Sequence, residues 1–412
     1  MIDLLKYALA IPQFYFVFYT WFMFFTVVCA VIFKLRYRPA EDAGEKRKRF
    51  ALMLPAYKAS NQLLHVIDAC FAQKYPAEKY DVFVLAQHCS AELVQTARAR
   101  GAHVCEKTFD DSPGNPYLFA LNFFIESIQR HAGNRPYDAV VLIDKDNLLQ
   151  DNFLTKINQR LQEGYLAVQG RRRPFNLDTN AACFDYISET MNDQMLRSAK
   201  SALGLSAEVS GSGMAFDFNV YKRAISGVDA RSPVHDKTFF LELLKMNIHV
   251  FYEPEAILFE EKTESYQAIT QQRTRWIGGQ FYLFKHNFFK LLRLGLQRRQ
   301  WDPIDYAITL FKIPRALHVL GLGGWIVWAL LFPRASMISA AVWASYSIGY
   351  FASIIFFLLL DKAPAPVYRA LASSPLFIGS MVKSAIRSMT QKLQGKFIHT
   401  AHSKEVSLKD IK

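Results

Sequence analysis

The apolar positions of this chain gather into two kinds of block: long uncharged runs towards the ends, and short periodic segments between them. No charged residue stands between Lys6 and Lys34. The run 7–33 is long enough for a membrane-spanning helix, which needs roughly 20 apolar residues, and too long for the apolar part of a signal peptide. Val28-Cys29-Ala30 loosely resembles a cleavage site, but the apolar residues continue past it. Towards the other end, 335–360 is a second uncharged run. The shorter run 316–333, bounded by Arg315 and Arg334, is just sufficient to span. A fourth stretch, 371–390, is interrupted by Lys383. It reads as an interfacial or re-entrant helix, with a fourth span as the alternative. A basic tail, 391–412, follows.

Between these runs the period changes. Phe50 to Leu54 is a short apolar run closed by Pro55, which predicts a buried strand and a turn. Leu63, Leu64, Ile67 and Phe71 then recur at helical spacing within 61–73. Strands are predicted at Asp81–Ala86, Ala102–Cys105 and Ala139–Ile143, and helices at Ala91–Arg100 and Leu118–Ile128. This alternation predicts an α/β domain with a mostly parallel sheet and helices on both faces. Ligands of such sheets bind outside the carboxyl ends of the strands. Pro55, Gln87 and Asp144 all fall at such ends, so they are expected to line one crevice.

Charge adds an orientation. Lys34, Arg36, Arg38 and Lys46 to Arg49 follow the first run directly, and an excess of Lys and Arg there marks the cytoplasmic side. The domain from Lys34 to about Arg315 is therefore expected in the cytoplasm, on an integral protein of the inner or plasma membrane. A net charge of +13 invites a nucleic-acid reading. The basic residues, however, crowd the ends of the apolar runs, where they meet anionic headgroups. No nucleic-acid motif accompanies them, so the expected partner is the lipid bilayer. Segment 281–299 sets Phe284, Phe288, Leu291, Leu292 and Leu296 against Lys285, Lys290, Arg293, Arg298 and Arg299. It reads as a basic amphipathic helix at the interface, with a packed surface helix as the alternative. Five cysteines without a CxxC pair argue against a zinc site or a disulfide framework and suit a reducing compartment.

The strongest local chemistry is VLIDKDN, 141–147, where Asp144 and Asp146 stand one residue apart at a strand end. Such a pair suits Mg²⁺ or Mn²⁺, which takes its remaining ligands from substrate phosphates. Taken alone the pair is weak, since many solvated turns contain one. In order along the chain come LPAYKAS (54–60), AQHCSAE (86–92), IDKD, SGSGMAF (210–216), VHDK (234–237) and QQRTRW (271–276). With these motifs the sequence resembles the family 2 glycosyltransferases. The likeness is to their membrane-bound branch of cellulose, chitin and hyaluronan synthases and nodulation-type chitooligosaccharide synthases.

The resemblance implies a GT-A (Rossmann-like) catalytic domain over 50–276, flanked by the spans and the interface helix. It implies inverting, metal-dependent transfer of a sugar from a nucleotide-sugar donor, usually a UDP-sugar, to a glycan or lipid-linked acceptor. The product would be a polysaccharide or a glycolipid. Pro55, Tyr57, Gln87, His88, Asp144 and Arg275 take the donor, with Asp146 and Asp144 on the metal. Asp236 takes the place of the base, although an N-cap for the following helix also fits it. Gly211, Ser212, Gly213, Gln272 and Trp276 take the acceptor. Without the family, Arg-Trp beside a membrane would read as an interfacial anchor.

Several positions depart from the family. Lys58-Ala59-Ser60 carries no acidic residue, Gln87-His88 stands for Asp-Asn, and Asn115-Pro116 for Lys-Gly before Ala120-Leu121-Asn122. His235 replaces an acidic partner of Asp236, either tuning the base or serving as a hydrogen-bonding wall residue. These changes admit a second reading, a catalytically silent subunit of a polysaccharide synthesis or export complex. Two clear C-terminal spans are few for a translocation channel unless the protein forms a homo-oligomer or has an export partner, so a single-addition or lipid-acceptor transferase stands as the alternative to a processive synthase.

Overall fold

The computed structural model describes residues 6–39, 44, 46–112, 114–232, 234–390 and 405–411; most of the predicted tail 391–412 therefore lies outside the described residues. Eight strands form one sheet. They are β1 (Phe50–Tyr57), β2 (Tyr80–Gln87), β3 (His103–Glu106), β4 (Ala139–Leu142), β5 (Leu148–Leu149), β6 (Ala167–Pro174), β7 (Met214–Asp217) and β8 (Val250–Glu260). Their order is β3-β2-β1-β4-β7-β6-β8-β5. The first four are parallel, as their helical crossovers require. The other half is mixed: β7 runs antiparallel to β4 and β6, and β5 to β8.

Pro55 does not end β1, as the sequence suggested; the strand continues to Tyr57. Met53 O accepts the Ile143 N–H on the β4 side, and Pro55, two residues on, faces the same way. Since β4 stops at Leu142, the missing proline N–H costs no ladder bond.

The first helices are α1 (Ala10–Arg36), α2 (Gln62–Phe71), α3 (Ala91–Ala99), α4 (Pro116–Ala132), α5 (Phe153–Gln162) and α6 (Asn180–Asp193). A π turn, Gln194–Ser198, carries α6 on to a last turn, Ala199–Ala202. Then come α7 (Phe218–Ser226), α8 (His235–Lys245), α9 (Tyr266–Arg298), α10 (Trp301–Phe311) and α11 (Arg315–Leu331). The last are α12 (Ala340–Leu360), α13 (Ala365–Ala370) and α14 (Ser374–Thr390). One sheet face is covered by α4, α7 and α8 through Leu121, Phe124, Tyr221 and Phe239. The other carries α2, α3 and α5 through Ile67, Val94 and Ile157.

Two helices are long and apolar enough to cross a membrane: α1, within a helical stretch from Lys6 to Arg36, and α12. The run 316–333 differs from expectation. Helix α11 has 17 residues and meets α10 at a 63° bend, so only the bent pair together would make a third span. Pro314 stands at that bend, where it can neither donate to the preceding turn nor leave Ile313 helical. Within 335–360 the helix starts only at Ala340, after Ser339 has capped it. The bundle is close-packed: a Cβ on Gly321 would lie 2.1 Å from the Phe16 ring, and one on Gly349 2.5 Å from Phe24. Small residues that let helices approach are typical of membrane bundles.

The bundle and the α/β domain are joined by α6. Its Phe184, Tyr186, Ile187 and Met191 enter one core with Met23, Leu322, Trp343 and Phe357. Asp361, buried at the end of α12, accepts from Arg171, Arg173 and Tyr186, tying the bundle to β6.

Segment 281–299 is not a separate helix but the second half of the 33-residue α9. Leu283 and Leu291 are buried, and Phe284 and Phe288 pack on Phe311 of α10, so most of the apolar stripe is used inside the molecule. Phe289 and Leu296 stay exposed. Likewise the 371–390 stretch forms α14, which lies along α9; the Ser384 hydroxyl donates to Thr270 O at 3.1 Å. All five cysteines are free.

Candidate active site

The carboxyl ends of β1, β2 and β4 open on the same edge of the sheet, and four hydrogen bonds fix the loops there. The Lys58 N–H donates to Gln87 O (2.8 Å), joining the first two loops. Lys145, between the two aspartates, donates to Tyr57 O (2.6 Å) and Lys58 O (3.2 Å). The Asp144 N–H donates to the Ser212 hydroxyl (3.0 Å). The Asp-Lys-Asp turn is thereby held from both sides.

Around it lies a cavity of about 230 Å³, walled by Pro55, Tyr57, Gln87, Asp144, Asp146 and Gly211 on one side. His235, Asp236, Gln272, Arg275 and Trp276 form the other. The structure thus brings together most of the residues singled out from sequence. Three stand apart. His88, in the left-handed region at φ 53, leaves the wall, bonds Asp110 and turns edge-on to the Tyr57 ring. Ser212 is buried behind the wall as the acceptor for Asp144. Gly213 (φ 64) is packed so closely that a Cβ would lie 2.2 Å from Leu258 Cδ2. Only Gly211 of that motif has open space before it, at φ 87.

Asp236 lies in the first turn of α8, where Val234 is the N-cap, so it does not cap the helix. Its loop is docked on the Asn115-Pro116 segment: the Asn115 N–H donates to Ala230 O (2.9 Å), and the Asn115 side chain caps α4. This places Tyr117 beside His235, ring centroids 4.6 Å apart. The Asn115-Pro116 segment, which departs from the family pattern, therefore supports the loop that leads to Asp236.

The electrostatics are those of a buried anionic site. Burial first, and the neighbouring Asp146 charge second, push the Asp144 carboxyl up to about 7; the Arg172 guanidinium opposes them. Burial holds the His235 imidazole down to about 4 against the pull of Asp236, so it is neutral at pH 7. Arg172 was not anticipated from sequence. It pairs with Glu189 (2.7 Å) and Glu260 (3.2 Å) at the cavity wall. The only signal for it was the triple arginine 171–173 on a strand end. Tyr117 and Lys145 were missed too, having no motif of their own.

Asn147 Oδ1, Ser210 Oγ, His235 Nε2 and Gln272 Oε1 are buried without a hydrogen-bond partner among the described residues, and all four residues line this cavity. Orphaned groups of this kind cost free energy until a polar ligand satisfies them. Among the described residues no group of three or more His, Cys, Asp or Glu forms a metal cage. A repelling pair of carboxylates suits Mg²⁺ or Mn²⁺, which keeps other positions for phosphate and water.

A second cavity, of about 510 Å³, lies between the α/β domain and the apolar helix bundle. The two meet at Arg172, Glu189, Ser210, Val234, Asp236 and Trp276. Asp236 and Trp276 thus face both.

Among solved structures, the mannosyltransferase PcManGT from Pyrobaculum calidifontis, in complex with GDP-Man and Mn²⁺, superposes with a TM-score of 0.58 at 16% identity. That alignment covers 95% of this chain and 100% of PcManGT. TarS of S. aureus aligns over 74% of this chain and 54% of its own, at 10% identity and a TM-score of 0.36. The glucosyl-3-phosphoglycerate synthase of Mycobacterium tuberculosis, solved with Mn²⁺ and UDP, aligns over 58% and 85%, at 15% and 0.36. No curated protein matches the chain in sequence. The family model described as glycosyltransferase like family 2 matches residues 47–279, more than half of the chain. The chain belongs to that family: it is a glycosyltransferase of GT-A fold that draws on nucleotide-sugar donors.

Proposed function

We propose that the protein catalyses inverting, metal-dependent transfer of a sugar from a nucleotide-sugar donor to a glycan or lipid-linked acceptor at the cytoplasmic face of a membrane. The observation that carries this reading is the position of Asp236, where the cavity with the paired aspartates meets the cavity beside the membrane helices.

The donor diphosphate lies over Asp144 and Asp146, with the Arg275 fork on its oxygens. A Mg²⁺ or Mn²⁺ ion held by the two aspartates supplies Lewis-acid neutralisation of the charge leaving with the diphosphate. Gln87, Tyr57 and Pro55 bound the nucleoside end. The donor expected from the family is a UDP-sugar. The acceptor enters from the second cavity and stacks on Trp276. Its hydroxyl oxygen attacks the anomeric carbon opposite the diphosphate, its proton passes to the Asp236 carboxylate, and the nucleoside diphosphate departs. One displacement inverts the anomeric centre, so no second carboxylate nucleophile is needed.

Uncovered apolar residues on the bundle support a membrane setting. Trp21, Val28, Ile348 and Leu359 stand exposed on α1 and α12, where lipid would cover them. The basic residues after α1 favour a cytoplasmic catalytic domain.

The test is turnover and calorimetry on the detergent-purified chain. Asp236→Asn is expected to lower turnover at least about 10³-fold while metal-dependent binding of nucleoside diphosphate stays within about twofold; retained turnover removes Asp236 as the base. Titration with UDP, GDP, CDP and dTDP, with and without Mn²⁺, identifies the base. UDP is expected to bind, and binding of GDP alone would replace it.

A further inference from the structure

The walls of the 510 Å³ cavity change character along its length. At the end near Asp236 several cations face it. Arg172, Arg197 and Arg273 each pair with carboxylates: Glu189, Glu189 with Asp193, and Asp185 respectively. Lys237, Lys312 and Arg315 line the same space and form no ion pair among the described residues. They are nonetheless held in place. The Gln280 side chain donates to Lys312 O (2.6 Å), fixing the turn between α10 and α11. Arg315 donates to Ser188 O (3.3 Å) and Asn192 Oδ1 (2.6 Å). Lys237 adjoins Asp236 on α8. Of the three side chains Arg315 is the one fixed by hydrogen bonds; Lys237 and Lys312 face the Glu208 carboxylate, which already pairs with Lys200 (2.8 Å), so the cations share little counter-charge in a low-dielectric wall until an anion joins them.

The other end is apolar: Val319, Phe351, Ile354 and Ile355 on α11 and α12, with Phe377 and Ile378 on α14. Phe351 and Ile355 are themselves exposed on the outer side of α12, among the residues lipid would cover. The cavity therefore runs from the base to the flank of the apolar bundle. A water-soluble glycan has no use for that half, and a neutral lipid has none for the cationic half.

We infer that this cavity is the acceptor site and that it takes a phosphorylated carrier lipid. The phosphate or diphosphate sits among Lys237, Lys312 and Arg315. The hydrocarbon chain leaves past α12 and α14 into the bilayer, and the sugar hydroxyl that the lipid carries reaches Asp236. The inference rests on the proposed transfer reaction, whose acceptor class it names. No co-reactant beyond donor and acceptor is needed: the acceptor oxygen bonds the anomeric carbon, its proton goes to Asp236, and nucleoside diphosphate leaves.

The test uses the full chain in neutral detergent, titrated by thermophoresis with geranylgeranyl phosphate, geranylgeraniol and inorganic phosphate, then with geranylgeranyl phosphate in competition with dioleoylphosphatidylglycerol. Geranylgeranyl phosphate is expected to bind at least tenfold more tightly than either the alcohol or phosphate alone. An equal molar amount of phosphatidylglycerol should displace less than half of it. Lys312→Gln and Arg315→Gln should each bring the phosphate form to within about threefold of the alcohol, with metal-dependent diphosphate binding as the control for folding. Equal binding of alcohol and phosphate overturns the proposal. So does full displacement by phosphatidylglycerol, which would make the cavity a seat for bulk lipid. The wild-type comparisons decide the matter if a variant does not fold. Lipid phosphate binding without any nucleoside diphosphate binding would leave the lipid site standing and overturn the transfer reaction.

Discussion

Arg172 shows how much of the site depends on one side chain without a motif. Its guanidinium lies between two buried carboxylates, Glu189 and Glu260, and within reach of the Asp144 charge. Removing it leaves Glu189 with Arg197 and Glu260 with Lys262 as their remaining partners in a low-dielectric wall, at a cost of about 1–3 kcal/mol. Arg172→Met is expected to lower the melting temperature by about 2–4 °C. It should also weaken metal-dependent diphosphate binding, because the charge opposing the Asp144 shift is gone; thermal melts and calorimetry on the same sample check both. His235 has the opposite sensitivity. Its folded-state pKa, near 4, lies below the ordinary value of about 6.5. The unfolded chain therefore binds the proton more readily. The contribution of the neutral ring is full above pH 6.5 and is lost as pH falls towards 4, by about 2 kcal/mol at pH 5. His235→Phe should melt with a smaller difference between pH 7.5 and pH 5 than the wild type; an identical difference would remove His235 as the cause. At this scale the sequence disclosed what its motifs label: the aspartate pair, Asp236 and the Gln272-Arg275-Trp276 set. Arg172 and Tyr117 act through neighbours distant in sequence, so nothing local pointed to them, and Lys145, inside the quoted motif, shows its role only through its bonds to Tyr57 and Lys58.

Among the elements, periodicity located β1 to β4 and α2 to α4 within a few residues, because alternating apolar faces are a local property. It misjudged α9. The segment 281–299 is expected from sequence as an interface helix of its own, yet α9 runs without a break from Tyr266 through Gly278-Gly279 to Arg298. The reason is a contact: a Cβ on Gly279 would lie 2.3 Å from Val234 Cγ2. Glycine there lets α9 approach the start of α8, two residues before Asp236. An alanine would favour the helix by about 1 kcal/mol but push Val234 aside. Gly279→Ala is therefore expected to reduce kcat at least about tenfold with little loss of thermal stability. Adding Val234→Ala should restore most of it. Lost stability without recovery in the double variant would instead mark the glycine as structural only.

The whole molecule is two bodies joined through α6, α9 and the end of α12. Asp361 is the polar part of that joint, a buried carboxylate shared by Arg171 and Arg173 on either side of Arg172. Asp361→Ala leaves Arg173 without its carboxylate and Arg171 with Asp193 alone, 3.4 Å away. It is expected to cost about 3–5 kcal/mol and to expose the segment between the bodies to limited proteolysis; an unchanged digestion pattern would mean that α6 and α9 suffice. For the membrane arrangement, the protein should remain with the membranes through alkaline carbonate and leave only in detergent. Release by carbonate would remove the spans as anchors.

The sequence by itself determined the two clear apolar helices, the alternating α/β core and the ordered motifs. Each is written in neighbouring residues whose spacing obeys the period of a helix or a strand. It also supplied the candidate site residues, because the chemistry of metal and proton transfer restricts which side chains could serve. Only the tertiary structure decided the mixed half of the sheet, the bend at Pro314, the unbroken α9 and the departure of His88 from the cavity. It alone joined the donor cavity to a second one that is cationic at one end and apolar at the other. Those features depend on groups far apart in the chain, and long-range packing, burial and charge pairing leave no period in a sequence for a reader to follow.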